Sequence, residues 1–584
     1  MNLAYFDPSY QGAPVGKKYA LELHLNTSVG ASRMDRWIQI FAASMGIFIV
    51  LSTFWVLYDY MHSLFFADYW DTLKLYDAYL EGQLNLSLFW QLGSFPEQNW
   101  FSEHRILFPR ILFLADYVWA GATSHLLIMA TVMIQLLQAT LLSKSLWKID
   151  ALTTRDRFFL SCLAFVACFW LVQSGNLIWG FQICWFLNGL AASLACYWIS
   201  GSKEGGWKNI LGAILACTVA TYSLANGLFL CAIVFLNLFK NGSSKSRLFL
   251  WAGFSAALGF SYLYHFSVPT HGPYLGFHLL RPVTALYLLT YLGNPASRFL
   301  LPAGIFIGAV GLVLYLFLAF RFFRVKLPSF FMQFAFTELT YIVVTAAVTA
   351  VGRSSEGLEH ATSSRYYGPV LIFWFLIVVL IYSTAAKKKT NLFAIRMGIA
   401  IALVLYILPI QIGSVPQRRI RYVKNDEAAL AFLSGVHDTA VVHYSLVGPG
   451  EAYPWKWLSF MKERRLSIYG EPWSITMGHD LHSDFRVDSI PILYAEVQEL
   501  RPAIPFNDGY YVSGRIRFSN NEERPKVILF SNNGSIVGFA KTTHRSCLGC
   551  FSGYVKGSEN RRFEMFGLNR NGSSLSKIQI DQTE

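Results

Sequence analysis

Residues 67–110 read ADYWDTLKLYDAYLEGQLNLSLFWQLGSFPEQNWFSEHRILFPR and lie between two strongly apolar segments of the chain. This stretch is rich in acidic, basic and aromatic residues. Its ionisable groups include Asp68, Asp71, Asp77, Glu81, Glu97, Glu103, His104, Arg105 and Arg110. A stretch this polar does not cross a lipid bilayer, because every unpaired charge in the hydrocarbon is costly. Between two apolar segments it is predicted to form an ordered cap over a site.

The whole chain has the composition of an integral membrane protein. Of its 584 residues, 54% are hydrophobic, 16% are aromatic and only 14% are charged. A soluble domain carries roughly 25% charged residues. The formal net charge of +13 does not indicate nucleic-acid binding, because in a membrane protein the excess Lys and Arg belongs first to cytoplasmic loops. We therefore predict membrane lipids as partners and no nucleic acid.

Apolar windows of about 20 residues, the length that crosses a bilayer, predict about eleven transmembrane helices. They lie near 37–57, 123–143, 157–173, 182–199, 209–224, 226–239, 248–266, 299–320, 329–351, 366–384 and 393–412. The N-terminal segment, 1–36, is too long for a cleaved signal peptide, and the apolar run after it is too extended. Within the opening stretch, amphipathic spacing predicts two further helices at the membrane surface, near 73–80 and 106–114.

The distribution of Lys and Arg predicts the orientation. Basic residues cluster in alternate loops, near 144–157, 203–208, 240–247, 321–326 and 387–396. Because Lys and Arg beside spans are retained in the cytoplasm, the N-terminus is predicted inside. The loops predicted outside are 58–122, 267–298 and 353–365, together with everything after about residue 413. Within the second of these loops, the apolar piece 279–292 is too short to span and predicts a re-entrant or interfacial helix.

The last loop between spans is the second region rich in chemically useful side chains. If its first residues are helical, Arg353, Glu356 and His360 share one face, and Arg365 stands at the mouth of the next span. A guanidinium binds a phosphate through two parallel hydrogen bonds. The two arginines therefore suit a polyprenyl phosphate or diphosphate headgroup. Anchoring to ordinary lipid headgroups, without specificity, is the alternative.

The part of the chain after residue 412 changes to the composition of a soluble domain, 413–584. A helix near 424–434 opens it. Alternating runs at 510–518, 526–530 and 535–539 predict antiparallel strands joined by Asn-Asn-Gly turns. We expect a mainly β domain that resembles a small β-sandwich.

The eight cysteines fall into two groups. Six lie in or near predicted spans, where small packing residues are expected. Cys547 and Cys550 lie in the soluble domain, and an oxidising compartment favours a structural disulfide between them. A zinc site there would need two further ligands, and His544 alone is insufficient.

Transfer of a sugar to a hydroxyl is the chemistry that suits an outward-facing loop of this composition. It needs a base for the acceptor hydroxyl and positive charge for the departing phosphate. Asp68 and Asp71 are three residues apart and share one cavity if the turn is helical, and Glu103 offers another carboxylate. The remaining polar groups are predicted to bind the donor phosphate: His104, Arg105, Arg110, Arg353, His360 and Arg365. Taken singly, each acid is better explained as a solvated loop charge than as a catalytic group.

A sugar pocket is predicted beside these groups. Trp179 and Gln182 stand at a helix end predicted to face outward, where an indole stacks on a pyranose and an amide binds hydroxyls. Trp70 and Asn226 are assigned to the same pocket. An aromatic belt residue with helix-capping amides is the alternative for the Trp179 segment.

The chain also resembles a known family. An acidic motif after the first span, a long outer loop with amphipathic helices, about eleven spans and an exported C-terminal domain resemble the class C fold (GT-C) integral membrane glycosyltransferases. The strings SEHRILFPRILFLADY, WGFQICWF, YSLANGL and GLEHATSSRYYGP look like motifs of poorly characterised bacterial membrane proteins of that type. The resemblance covers roughly residues 37–412.

The resemblance implies a polyprenyl-phosphate-linked sugar donor, a glycan or lipid-linked glycan acceptor such as lipopolysaccharide O-antigen, and a bacterial inner membrane with the C-terminal domain in the periplasm. It implies that Asp68 or Asp71 is the base. The spacing Asp-Tyr-Trp-Asp departs from a metal-binding Asp-x-Asp, so neither a metal nor another cofactor is predicted. Two other classes compete: a lipid-linked oligosaccharide transporter or polymerase, and a non-catalytic envelope assembly protein.

Overall fold

A computed structural model shows a mostly helical protein (70%) with a C-terminal β-barrel. The structure describes residues 15–90, 104–266, 281–388, 392–446, 452–517, 525–542, 547, 549–557, 563–570 and 572–581. Glu103, one of the predicted catalytic acids, lies outside these ranges, as does the first part of the loop 267–298.

The membrane part is built from helices α1 to α18. Their bounds are α1 Val15–Tyr60, α2 Leu73–Leu80, α3 Leu86–Trp90, α4 Leu107–Ala120, α5 His125–Leu146, α6 Thr154–Phe169, α7 Ser174–Leu177, α8 Ile183–Ser200, α9 Ser202–Thr221, α10 Gly227–Lys240, α11 Lys245–Leu263, α12 Pro282–Leu292, α13 Ala296–Phe299, α14 Leu301–Arg324, α15 Phe330–Arg353, α16 Tyr367–Lys387, α17 Phe393–Ala402 and α18 Leu408–Ser434. A π-helical turn, Leu403–Ile407, joins the last two.

Eight helical stretches in the described ranges are long and apolar enough to cross a membrane. They are Met34–Tyr60, His125–Leu146, Thr154–Leu177, Gly180–Ser200, Leu301–Arg324, Phe330–Glu356, Ser364–Lys387 and Phe393–Ser434. The protein is therefore membrane-embedded. The three other predicted spans coincide with α9, α10 and α11, which are helices but do not meet the same length and hydropathy limits. A total of about eleven spans stays a prediction.

Both helices predicted near 73–80 and 106–114 are present. Helix α2 matches the first, and α4 begins two residues before Pro109, where a proline is tolerated because the first-turn N–H groups have no intrahelical partner. The short apolar piece of the next loop also forms a helix, α12.

Glycines bring helices α12 and α14 into backbone contact. A Cβ added at Gly308 would lie 1.9 Å from the carbonyl oxygen of Leu289, and one at Gly293, directly after α12, would lie 1.8 Å from the carbonyl oxygen of Gly304. Small residues allow this approach, which replaces the missing hydrophobic driving force inside a membrane by close van der Waals packing.

Replacing Gly308 by alanine should destabilise the protein by about 1–3 kcal/mol, because backbone atoms must move to admit the methyl group. Gly259→Ala on α11 is the matched control, since a Cβ there meets nothing within 4 Å. It should be neutral or slightly stabilising. Thermal unfolding of both variants in detergent measures the difference, and equal midpoints would contradict the close packing of α12 on α14.

Four helices are fastened at one end of the bundle by a single guanidinium. Arg396 Nη1 lies 2.6 Å from Asp35 Oδ2, and Nη2 lies 2.6 Å from Asp156 Oδ1. The Nε–H donates to Tyr382 Oη at 2.7 Å. Asp156 also closes a capping box with Thr153 at the start of α6. The network joins α1, α6, α16 and α17.

The C-terminal domain starts with helix α18, which runs without interruption from the bundle to Ser434. Three short helices follow: α19 Thr439–Leu446, α20 Ala452–Glu463 and α21 Leu481–Asp484. The strands are β1 Arg486–Pro502, β2 Gly509–Arg517, β3 Val527–Asn532, β4 Ser535–Thr542, β5 Cys550–Lys556, β6 Glu564–Leu568 and β7 Ser574–Asp581. Residues Cys547 and Cys550 are joined by a disulfide.

The β-sandwich expected from the sequence is wrong, because the sheet closes into a barrel in the order β1-β2-β5-β4-β3-β6-β7. The predicted antiparallel strands and the turn after Asn532 are present, with positive φ at Asn533 and Gly534. Closure is made by β1 and β7, which pair in parallel. The alternation of apolar and polar residues within a strand does not indicate which other strand it pairs with, so barrel closure could not be predicted from it.

The barrel and short helices pack on one end of the bundle, which we term the domain side. Asp426 on α18 lies 3.0 Å from His62 Nε2 beside α1 and 2.6 Å from Lys541 Nζ on β4. The Ser467 N–H donates to the carbonyl oxygen of Gly121 at 2.8 Å. These contacts hold the domain against the first predicted outer loop, residues 58–122.

Candidate functional site

Asp68 occupies a short 3-10 turn, Ala67–Thr72, directly after the first span. Its neighbours Tyr69 and Trp70 are buried and anchor the turn, and Tyr69 donates a hydrogen bond of 2.8 Å to Asp116 Oδ2. The Asp68 side chain itself is exposed. The surrounding protein nevertheless raises the pKa of this carboxyl, and we call the space around Asp68 a cleft.

The cleft brings together the two loops singled out in the sequence. The charges of Arg365 and then Arg353 oppose the raised pKa of Asp68, whose main cause is burial within the cleft. Arginines of the last loop therefore act electrostatically on the acid of the first. We term the group Asp68, His104, Arg353 and Arg365 the arginine cleft.

His104 belongs to the arginine cleft as a neutral ring. Burial, followed by the charges of Arg353 and Arg365, lowers the pKa of His104 to about 4. Its Nδ1 accepts a hydrogen bond from the N–H of Ala225 at 3.3 Å. The ring proton is then on Nε2, so His104 can donate a hydrogen bond without adding positive charge.

The last loop does not form the continuous helix predicted from its spacing. It folds as three 3-10 turns, Ser354–Glu356, Leu358–Thr362 and Ser364–Tyr366. Gly357 separates the first two with φ 95° and ψ 160°, a conformation that favours glycine. The predicted contacts still form, because Arg353 Nη1 lies 3.3 Å from Glu356 Oε1 and Glu356 Oε2 lies 2.8 Å from His360 Nε2.

His360 connects this ion pair to the second arginine. Arg365 Nη2 lies 2.8 Å from His360 Nε2, and Tyr287 Oη lies 3.0 Å from Nδ1. Burial, then the charges of Arg365 and Arg353, lower the pKa of His360 to about 4, against an opposing effect of Glu356. The neutral ring accepts from Arg365 and donates to Tyr287. A protonated ring would instead donate to Glu356.

Two of the predicted phosphate ligands have structural roles. Arg105 is 2% exposed, and its Nε and Nη1 donate to the carbonyl oxygens of Tyr262 and Trp90 at 2.7 Å. A third bond joins its Nη2 to the carbonyl of Tyr264. Arg110 donates to carbonyls of α3, and burial lowers its pKa to about 10. Both tie loop segments to helices.

Arg105→Gln should lower the stability of the protein by at least about 2 kcal/mol, because charge-assisted hydrogen bonds to three carbonyls are lost. Arg365→Gln removes only the bond to the imidazole and should cost about 1 kcal/mol or less. Thermal unfolding in detergent compares the two. If Arg105→Gln left stability unchanged while weakening binding of polyprenyl phosphate, the predicted phosphate role of Arg105 would stand.

Of the four residues assigned to the sugar pocket, Asn226 lines the cavity described below, and Trp70, Trp179 and Gln182 are not among its lining residues. Trp70 is 3% exposed and its ring contacts Phe65 and Phe432, so no sugar can stack on it. Trp179 donates to the carbonyl of Phe66 at 3.1 Å. Gln182 is buried. Asp71 is half-buried on the same turn as Asp68.

Asn226 does line a cavity, which enters the helix bundle beside Arg365. The cavity contains about 600 Å³ of unoccupied space, counting the part open at its mouth. Its polar lining residues are Gln135, Gln138, Asn176, Asn188, Asn226, Glu338, Tyr341, Thr345 and Arg365, and Trp185 is its largest aromatic.

Sequence reasoning missed Glu338 and the amides at the far end of this cavity. Glu338 is 2% exposed and is the one acidic or basic residue in the predicted span 329–351. An ionisable residue inside a span is by itself a signal of function, so the sequence contained the clue. Gln138 and Asn176 give no such signal, because amides also serve helix packing.

A metal site is not visible in the described part of the chain, where no group of three or more His, Cys, Asp or Glu side chains is placed to hold an ion. Metal independence stays a prediction.

Comparison with known proteins does not assign the chain to a family: no family model matches it, and no curated protein is significantly similar. The fold and the site assign the protein to a structural class that is broader than a family. It is a membrane-embedded helical protein with a polar cleft at the domain side and a β-barrel domain packed beside it.

Proposed function

We propose that the protein is a membrane glycosyltransferase. It transfers a sugar from a polyprenyl-phosphate donor to a hydroxyl of a cell-surface glycan, such as lipopolysaccharide O-antigen, on the outer face of a bacterial inner membrane. The observation that carries this proposal is the arginine cleft. An accessible carboxyl, Asp68, is influenced by two guanidiniums, Arg365 and Arg353, so a base and a phosphate site occupy one opening.

The proposed reaction uses the negative charge of Asp68 and the positive charges of the two arginines. The acceptor hydroxyl oxygen forms a bond to the anomeric carbon of the sugar while its proton passes to the Asp68 carboxylate. The bond between the anomeric carbon and the phosphate oxygen breaks, and polyprenyl phosphate leaves with that electron pair. Arg353 and Arg365 stabilise the growing negative charge on the phosphate.

The arrangement of basic residues supports the proposed side of the membrane. Lys240 at the end of α10 donates to the carbonyl of Phe323 near the end of α14 at 2.9 Å. Arg396 lies at the same bundle end as the starts of α6 and α17. These ends are opposite to the domain side. Because Lys and Arg near spans are retained in the cytoplasm, the arginine cleft would face outward.

Asp68→Asn should reduce sugar transfer at least about 100-fold, since general-base catalysis contributes that much. Asp77→Asn, on α2 of the same loop, is the matched control and should retain activity. The assay is transfer of a radiolabelled sugar from its polyprenyl-phosphate donor by protein in lipid nanodiscs. Full activity of Asp68→Asn would contradict the role of Asp68.

The pH dependence of transfer should report the same carboxyl. A base works when deprotonated, so kcat/KM should fall as pH drops through the raised pKa of Asp68, at a pH above the ordinary value of 3.8. Arg365 lowers that pKa, so Arg365→Gln should move the acidic limb to higher pH. A limb that stays in place would show that Asp68 is not the titrating base.

A transporter of lipid-linked oligosaccharides is the second candidate, and Glu338 is the observation that favours it. A buried carboxyl within a span is typical of transport pathways. Surface glycans of a deletion strain distinguish the two functions. Loss of one sugar substituent supports transfer, and loss of whole glycan chains supports transport or polymerisation. Unchanged glycans would favour a non-catalytic envelope protein.

A further inference from the structure

The cavity beside the arginine cleft presents, along its length, oxygen atoms that have no hydrogen-bond partner among the described residues. They are Gln138 Oε1, Asn176 Oδ1, Asn226 Oδ1 and Glu338 Oε2, and all four residues line the cavity. Buried polar atoms are almost always paired in folded proteins, because each unpaired one costs roughly 1–3 kcal/mol. Four in one cavity indicate a ligand that supplies hydrogen-bond donors.

Hydrogen bonds to neighbouring side chains hold the acceptor oxygens of Gln138, Glu338 and Asn226 in place. Gln138 Nε2 donates to Ser193 Oγ at 2.7 Å, and Ser193 Oγ donates to Glu338 Oε1 at 2.7 Å. Asn226 Nδ2 donates to Thr345 Oγ1 at 3.1 Å. Each of these amide groups therefore donates to the protein, and its oxygen is left for the occupant.

Charge excludes an anion from the far end. The described residues place no Lys, Arg or His within ion-pair distance of Glu338, so no cation is available there to hold a buried anion. Acceptor oxygens repel phosphate. The guanidinium among the lining residues, Arg365, also belongs to the arginine cleft, so the cavity is polarised from an anion-binding mouth to a hydroxyl-binding end.

The cavity extends far enough along α15 to take a sugar ring. Thr345, Tyr341 and Glu338 line the cavity from one face of α15, and seven residues of helix span roughly 10 Å. Trp185 offers an aromatic wall, the usual surface for a sugar ring.

We propose that this cavity binds the hydroxyl groups of the lipid-linked sugar, with the sugar pointing into the bundle, its phosphate at Arg365 and Glu338 as a specificity-determining ligand. The proposal rests on the proposed function for the lipid carrier and adds the place and orientation of the sugar. It differs from the pocket of Trp70, Trp179 and Gln182 expected from the sequence.

The first test compares two probes by equilibrium binding in nanodiscs. They are undecaprenyl phosphate alone and undecaprenyl phosphate linked to glucose, galactose, mannose or arabinose. Glu338→Leu should weaken binding of at least one sugar-bearing probe about tenfold or more, the loss expected for one strong hydrogen bond. Binding of the sugar-free probe should change less than about twofold.

Thr337→Val is the matched control, because Thr337 is buried on the same helix and is not among the cavity-lining residues. It should leave the affinity for both probes unchanged. Asn226→Ala, nearer the domain side, provides a second variant in case Glu338→Leu fails to fold. Equal weakening of both probes, or no weakening of either by both cavity variants, would overturn the proposal.

A second measurement uses the unaltered protein. Dicyclohexylcarbodiimide, an apolar reagent for buried carboxyls, should label Glu338, and peptide mass spectrometry should locate the adduct. A sugar-bearing probe should slow labelling at least about tenfold, whereas undecaprenyl phosphate alone should not. Protection by the sugar-free lipid would mean that its chain fills the cavity. Absence of protection would mean that water alone occupies it, and either result contradicts the proposal.

Failure of this proposal is distinguishable from failure of the proposed function, because neither measurement contains an acceptor or requires turnover. Protection of Glu338 together with full transfer by Asp68→Asn would leave the cavity assignment standing and remove the base. Loss of transfer in Asp68→Asn without protection of Glu338 would keep Asp68 as the base and remove the cavity assignment.

Discussion

Every polar side chain inside an apolar bundle must find a partner, because lipid and packed hydrocarbon offer none. Most of the buried polar groups in this protein obey that constraint within the chain. Arg396 satisfies two carboxylates and a tyrosine at one end, and Arg105 fills its donors with carbonyls at the other. The cavity at Glu338 gathers four buried oxygen atoms that have no partner among the described residues, and it is the place where we propose that a ligand completes the polar network.

The position of the arginine cleft follows from how the spans end. The turn carrying Asp68 follows α1, and Arg353 and Arg365 stand at the facing ends of α15 and α16. The C-terminal domain is fastened beside this opening by Asp426, through His62 and Lys541. Acid, guanidiniums and cavity mouth therefore share the domain side of the bundle, and a lipid headgroup at that surface meets all three.

Much of this arrangement could be read from the sequence, because composition and helical periodicity follow directly from burial in lipid. The convergence of Asp68 with Arg353 and Arg365 was predicted from topology alone. Side-chain roles were harder, since Arg105 and Arg365 look alike until the carbonyls around Arg105 are placed. Trp70 looked like a sugar platform and is core. Barrel closure was missed because the parallel pairing of the first and last strands has no local signature.

An experimentally determined structure with undecaprenyl phosphate bound tests the central claim most directly. The phosphate should lie within hydrogen-bonding distance of the Arg353 or Arg365 guanidinium, on the side that faces Asp68. The lipid chain should leave the cavity next to Glu338 unfilled. A phosphate bound at the opposite end of the bundle, among the basic residues near Arg396, would contradict the assignment of the arginine cleft as the donor site.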